Sequence, residues 1–190
     1  MSRLVAATTL LASAALAGAL AGALTLTVPA QAASIRMHDA KGDDTTGRGF
    51  GDVTGLHVKY GAKRLRVTIT WPRSGDPGYY QDLYVDTWPR HPGPEVHIGS
   101  NGDGEGWGTT LGGGWTILGG HERCFGGLYS ATYDYKHHRL HYALPVRCLM
   151  PRGKAQPPKL RFALAIRSDQ DVTWDWMPAK RTFGRWVSWR

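Results

Sequence analysis

The stretch V-D-T-W-P-R-H-P-G-P-E, residues 85–95, carries a carboxylate at each end, Asp86 and Glu95. Two facing carboxylates are the minimum equipment of a glycoside hydrolase or of a small cation site. The sequence around them favours a plainer use. Leu83 and Val85 point into a core, which turns Asp86 the other way at the end of a strand. Pro89, Pro92 and Pro94 stiffen the loop, and Asp86 can accept the N–H groups of the residues that follow it. Glu95 returns beside Asp86 if the two flanking strands pair. The expectation is a stapled corner, with a metal or ligand site as the alternative.

Other residues could hold a cation. H-D-A-K-G-D-D, residues 38–44, supplies Asp39, Asp43 and Asp44, and Asp52 follows. Calcium takes about six to eight oxygens and often finds them in such acidic loops, although the same residues make ordinary Asx turns. N-G-D-G-E-G, residues 101–106, sets Asn101, Asp103 and Glu105 at alternate positions with glycine in sixth place. That imitates the opening of an EF-hand, but the twelfth position is Gly112 rather than a glutamate, so only a looser calcium loop stays open. His137, His138 and His141 lie in Y-K-H-H-R-L-H. On a strand, residues four apart are separated by roughly 13 Å, too far to share a metal, so this reads as a polar turn. Trp107 and Trp115 sit in a glycine-rich stretch, where they could stack against sugars or cap the fold.

No catalytic constellation assembles from these parts. There is no G-x-S-x-G elbow. The remaining Asp and Glu are scattered. The two cysteines, Cys124 and Cys148, are expected to pair, which leaves no thiol nucleophile.

The elements that must position these residues read as strands. The 25 glycines and 11 prolines punctuate short alternating runs. That is the signature of an all-β fold, an antiparallel β-sandwich of jelly-roll-like type. The clearest run joins Leu56, Val58 and Tyr60 to Leu65, Val67, Ile69 and Trp71 through a four-residue turn. This register puts every apolar residue on one face and His57, Lys59, Arg64 and Arg66 on the other. A second hairpin pairs Tyr135 with Leu140 and sets Asp134 opposite His141. Pro145 suggests an edge position for its second strand. Extending the same ladder, with a bulge at Gly126 and Gly127, brings Cys124 to Cys148. A third run alternates Leu160, Phe162, Leu164 and Ile166 with Arg161 and Arg167, which are thereby forced outward. Residues 182–189 read as a closing strand, while residues 72–80 and 99–120 read as long loops.

The first 32 residues read as an export signal. Arg3 precedes a long apolar run, and Ala30-Gln31-Ala32 has the small-x-small form of a cleavage site. An uncleaved membrane anchor is the alternative. Residues 33–190 then form one domain with no further membrane span, and an oxidising destination suits the disulfide. The chain has 23 Lys and Arg against 15 Asp and Glu. Removing Arg3 leaves 22 against 15, or +7. That balance suits anionic surfaces outside the cell, such as teichoic acids, acidic glycans or phospholipid heads, and it also serves solubility.

The acidic, glycine-containing N-terminal segment, the first hairpin, the V-D-T…G-P-E element and the late cysteine pair together resemble small uncharacterised secreted proteins of actinobacteria. The layout is more distantly similar to carbohydrate-binding sandwiches of the family-9 and DOMON-like kind. These resemblances imply a sandwich and carry over no activity or catalytic residue. The expectation is therefore a secreted, monomeric binding domain without a required cofactor, calcium aside, and without a specific nucleic-acid partner. Its ligand would be an anionic or glycan component of the cell envelope. Its binding residues would be His57, Lys59, Arg64, Arg66, Arg161 and Arg167. A small hydrolase or a purely structural envelope protein are the rival readings.

Overall fold

The computed structural model describes residues 32–47, 49, 51–75, 80–91, 93–101, 108–111, 114–115, 121–125, 130–150, 154–168 and 172–188. The export-signal region, Trp107, Asp103 and Glu105 lie outside these residues, and Asn101 is described only as the last residue of a strand.

The alternating runs form strands because their apolar side chains recur every second residue and must be buried on one side. In chain order the strands are β1 (Ala33–His38), β2 (Gly55–Tyr60), β3 (Arg64–Thr70), β4 (Tyr80–Asp86), β5 (Val96–Asn101), β6 (Gly108–Leu111), β7 (His121–Phe125), β8 (Ser130–Asp134), β9 (Arg139–Pro145), β10 (Lys159–Arg167), β11 (Thr173–Met177) and β12 (Val187–Ser188). They make two antiparallel sheets. One has the order β1-β2-β3-β9-β8, and the other β11-β10-β4-β5-β6-β7, with β12 also pairing with β10. The chain crosses between sheets after β3, after β7 and after β9. Among the described residues no helix is long and apolar enough to cross a membrane.

The core lies between the sheets. Leu56, Val58, Tyr60, Leu65 and Ile69 enter it from one side, and Leu83, Val85, Ile98, Phe162 and Leu164 from the other. Each such side chain contributes roughly 1.5–3 kcal/mol by leaving water. The first hairpin has the register its alternation demands, with Tyr60 opposite Leu65 and Leu56 opposite Ile69. The Tyr60 hydroxyl escapes the core by donating to the Pro157 carbonyl oxygen at 2.6 Å.

The second hairpin differs from expectation by a slip of two residues. Tyr133, not Tyr135, lies opposite Leu140, and Asp134 faces Arg139 rather than His141. A short 3-10 turn over Tyr135–His137 takes up the difference. Asp134 caps it by accepting from the His137 N–H at 3.2 Å, and His138 closes it with φ 54°. Because the slip is even, each residue that stays in the strand keeps its face. β9 is an interior strand between β3 and β8, not an edge. Pro145 is tolerated because it is the last residue of β9, beyond Ala143, where pairing with β8 begins.

Two further readings are corrected. The stretch 99–120 contains the end of β5 and all of β6, and the closing strand is only Val187–Ser188. The disulfide forms, with Cα atoms 5.8 Å apart, but it is not an extension of the second hairpin. Cys124 belongs to β7 in one sheet, and Cys148 to the 3-10 turn Val146–Leu149 that follows β9 of the other. The bond therefore ties the two layers together.

Candidate functional site

The outer face of the five-stranded sheet collects cations. Along one row of paired residues stand Arg36, His57, Thr68 and His141, in β1, β2, β3 and β9 respectively. In the next row Lys59 lies directly opposite Arg66. Arg64 stands at one end of the face and Arg139 at the other. Arg36, Lys59, Arg64, Arg66 and Arg139 are all exposed. Among the described strand residues of this face the one carboxylate is Asp134, which is engaged by His137 Nδ1 at 2.7 Å. No ion pair among the described residues involves Arg36, Lys59, Arg64 or Arg66.

The surface is a shallow groove. It is lined by the small side chains Thr68, Thr132 and Ala143 and by His57, Lys59, Arg66 and His141. Thr68 Oγ1 and His141 Nδ1 are 3.0 Å apart and hold each other in place. The His57 imidazole is pushed below its ordinary range, first by burial and then by the positive charges of Arg36 and Lys59. Arg36, Arg139 and His141 were not foreseen as members. The S-I-R-M-H alternation of β1 is the signal that could have found Arg36, since Ile35 and Met37 are buried and Arg36 is not.

Arg161 and Arg167 do not join this face. They lie on β10, on the outer side of the other sheet, so the cations do not merge into one patch. Both are engaged by buried carboxylates. Arg161 Nε donates to Asp86 Oδ2 at 2.6 Å, and Arg167 Nε to Asp82 Oδ2. Asp82 also accepts from His97 Nε2 at 2.7 Å. Burial pushes the Asp82 carboxyl up, but His97 and Arg167 outweigh it and hold it below the usual carboxylate range. An aromatic layer covers this network. Tyr84 stacks on Trp176 with ring centroids 5.7 Å apart, and Trp115 packs on Tyr84 at 5.2 Å and on Phe183 at 4.7 Å. Trp115 is therefore a cover for a sheet face rather than a free stacking platform. Ala163 and Ala165, fully buried beside it, leave room for these rings.

The corner at residues 85–95 is stapled. Asp86 Oδ1 accepts from the Trp88 N–H at 3.0 Å, and Glu95 Oε2 from the Thr87 N–H at 2.7 Å. Burial, with the charge of Asp86 adding to it, holds the Glu95 carboxyl above its ordinary range.

The acidic loop divides in two. Asp44 closes on its own loop, accepting from the N–H groups of Thr46 at 2.9 Å and Gly49 at 3.2 Å and from the Thr46 hydroxyl. Asp43 and Asp52 instead meet Asp175 of β11. Asp39 lies near enough to act on them electrostatically. Asp175 escaped the sequence reading. Its signal is a carboxylate on the core-facing side of a strand, in step with Met177.

Compared with known families and with curated proteins, the sequence matches no family model and no curated protein.

Proposed function

We propose that this chain is a secreted domain that binds a linear anionic polymer of the cell envelope along the outer face of its five-stranded sheet. The observation that carries this reading is the face itself: exposed cations in adjacent rows, unmatched by ion pairs among the described residues, with one carboxylate at its margin. Cationic neighbours sit about 4.8 Å apart across strands and about 6.6 Å along them, a spacing that successive charges of a flexible polyanion can follow. Like charges directly opposite each other, as at Lys59 and Arg66, destabilise a sheet by up to about 1 kcal/mol. A bound polyanion removes that cost. The export-like N-terminus supports a location where such polymers occur.

The double change Lys59→Glu with Arg66→Glu is expected to lower retention on purified cell walls at least about tenfold while leaving the fold intact, since exposed substitutions usually cost within about 0.5 kcal/mol. Wild-type protein should be released by half-molar salt, which shortens the screening length to about 4 Å. Retention that survives both the mutations and the salt would assign the charge to solubility alone.

A second expectation concerns pH. Because burial and the charges of Arg36 and Lys59 hold His57 below its ordinary range, an anion seated beside them would favour the protonated imidazole, and binding would be coupled to uptake of a proton by His57. Retention should therefore strengthen as the medium is made more acidic, into the range where His57 takes up its proton. In the His57→Gln protein that increment should shrink, and an unchanged pH profile there would remove His57 from the binding face.

A further inference from the structure

We propose that Asp43, Asp52 and Asp175 form a calcium site that clasps the N-terminal loop to strand β11. Each residue offers one carboxylate oxygen, and the three oxygens lie within 4.8 Å of one another. Calcium–oxygen bonds are about 2.3–2.6 Å, so two ligands of one ion can stand at most about 4.6–5.2 Å apart. Three oxygens spread evenly around one such ion stand about 4.0–4.5 Å apart, so the three carboxylates need draw together by at most a few tenths of an ångström to share a single calcium ion.

An independent observation points to the same ligand. Asp52 is only 1% exposed, and its Oδ1 has no hydrogen-bond partner among the described residues. The other oxygen of the same carboxylate, Oδ2, is satisfied by the Gly42 N–H at 2.9 Å. A buried carboxylate oxygen without a donor is costly, and a cation removes the cost. Among the described residues, the cation that acts on Asp52 is Lys41. Asp39 has a second buried carboxylate oxygen without a donor, Oδ2. Burial, with the charges of Asp39 and Asp43 adding to it, pushes the Asp175 carboxyl up to about 6.

The site is held in shape before any ion arrives. Asp175 Oδ2 accepts from the Val53 N–H and Oδ1 from the Trp176 N–H, at 2.9 and 2.7 Å. Thr45 N–H donates to the Trp174 carbonyl oxygen at 2.8 Å, lacing the loop to β11. Gly51 makes the approach possible. It has φ 76°, and a Cβ there would come 2.6 Å from Trp174 Cε3. Asp43 is exposed and leaves a side open to solvent, from which water can complete the calcium shell. An all-oxygen donor set suits calcium over zinc, and calcium's flexible shell accepts ligands this far apart more readily than magnesium's.

The test uses the full chain, stripped with a chelator and titrated with calcium chloride at about pH 7.5, with magnesium chloride in parallel. Calorimetry should show one saturable calcium site, and the melting temperature should rise with calcium concentration by mass action. Asp52→Asn and Asp175→Asn should each weaken calcium binding at least about tenfold. Asp43→Asn, at an exposed position, should fold as the wild type does and lose affinity to a similar extent, so the result stands even if a buried variant does not fold. No heat and no thermal shift with wild type at about 10 mM calcium would overturn the proposal, as would wild-type affinity in Asp43→Asn.

Discussion

Asp82→Ala is expected to lower the stability of the protein by about 3–5 kcal/mol, the usual cost of removing one partner from a buried ion pair. Asp82 is 1% exposed and serves two side-chain donors at once, His97 through Oδ1 and Arg167 through Oδ2. Without it, His97 stays packed against Tyr84 and Arg167 against the Tyr80 ring, and both lose the carboxylate that accepted from them. The position gives them little room to reach water, because β4 is buried on both faces. His97 has no partner at Nδ1 among the described residues to fall back on. Asp82→Asn keeps an acceptor and should cost less than the alanine change. Removing the charges together, with Asp82→Leu and Arg167→Met, should recover part of the loss, since a buried pair replaced by apolar side chains is often neutral. Urea unfolding measures all three variants. A loss below about 1 kcal/mol for Asp82→Ala would mean that water reaches this face freely.

Reduction of the disulfide, or the pair Cys124→Ser and Cys148→Ser, is expected to cost roughly 3.5 kcal/mol, from the closure entropy of the loop spanning 24 residues. For a domain of this size that corresponds to a fall in melting temperature of about 7–14 °C. The loss should not be spread evenly. The bond anchors β7, the far strand of its sheet, to the turn after β9 in the opposite layer. Hydrogen exchange should therefore quicken most in β6 and β7, and least in β3 and β10, which lie inside their sheets. Equal acceleration everywhere would show that the bond acts only through the unfolded chain.

The sequence by itself determined which face each strand residue takes. Leu56, Val58, Tyr60, Leu65, Val67 and Ile69 are buried, and Lys59, Arg64 and Arg66 are exposed, as their alternation requires. That pattern is legible because side chains of a strand alternate by backbone geometry alone, whatever the strand packs against. The register of the first hairpin was legible because its four-residue turn leaves one pairing that buries all the apolar residues. In the second hairpin the same parity was legible, but the starting pair was not, because the cap that Asp134 places on the turn competes with the ladder. The disulfide partners could be read from a count of two, but not the layers they join.

Tertiary structure decided what outward means. Arg66 and Arg167 both leave the core by the same alternation, yet one reaches solvent and the other meets buried Asp82. The difference lies in Trp115, Trp176 and Phe183, which come from distant parts of the chain to cover one sheet and not the other. Asp43 and Asp52 were visible as an acidic loop, whereas Asp175 joins them only because β11 pairs on the outer side of β10. Alternation is a property of neighbouring residues, and the sequence displays it directly. Whether a face is dry, charged or able to hold an ion depends on which remote elements cover it, and that is set by the packing of whole sheets.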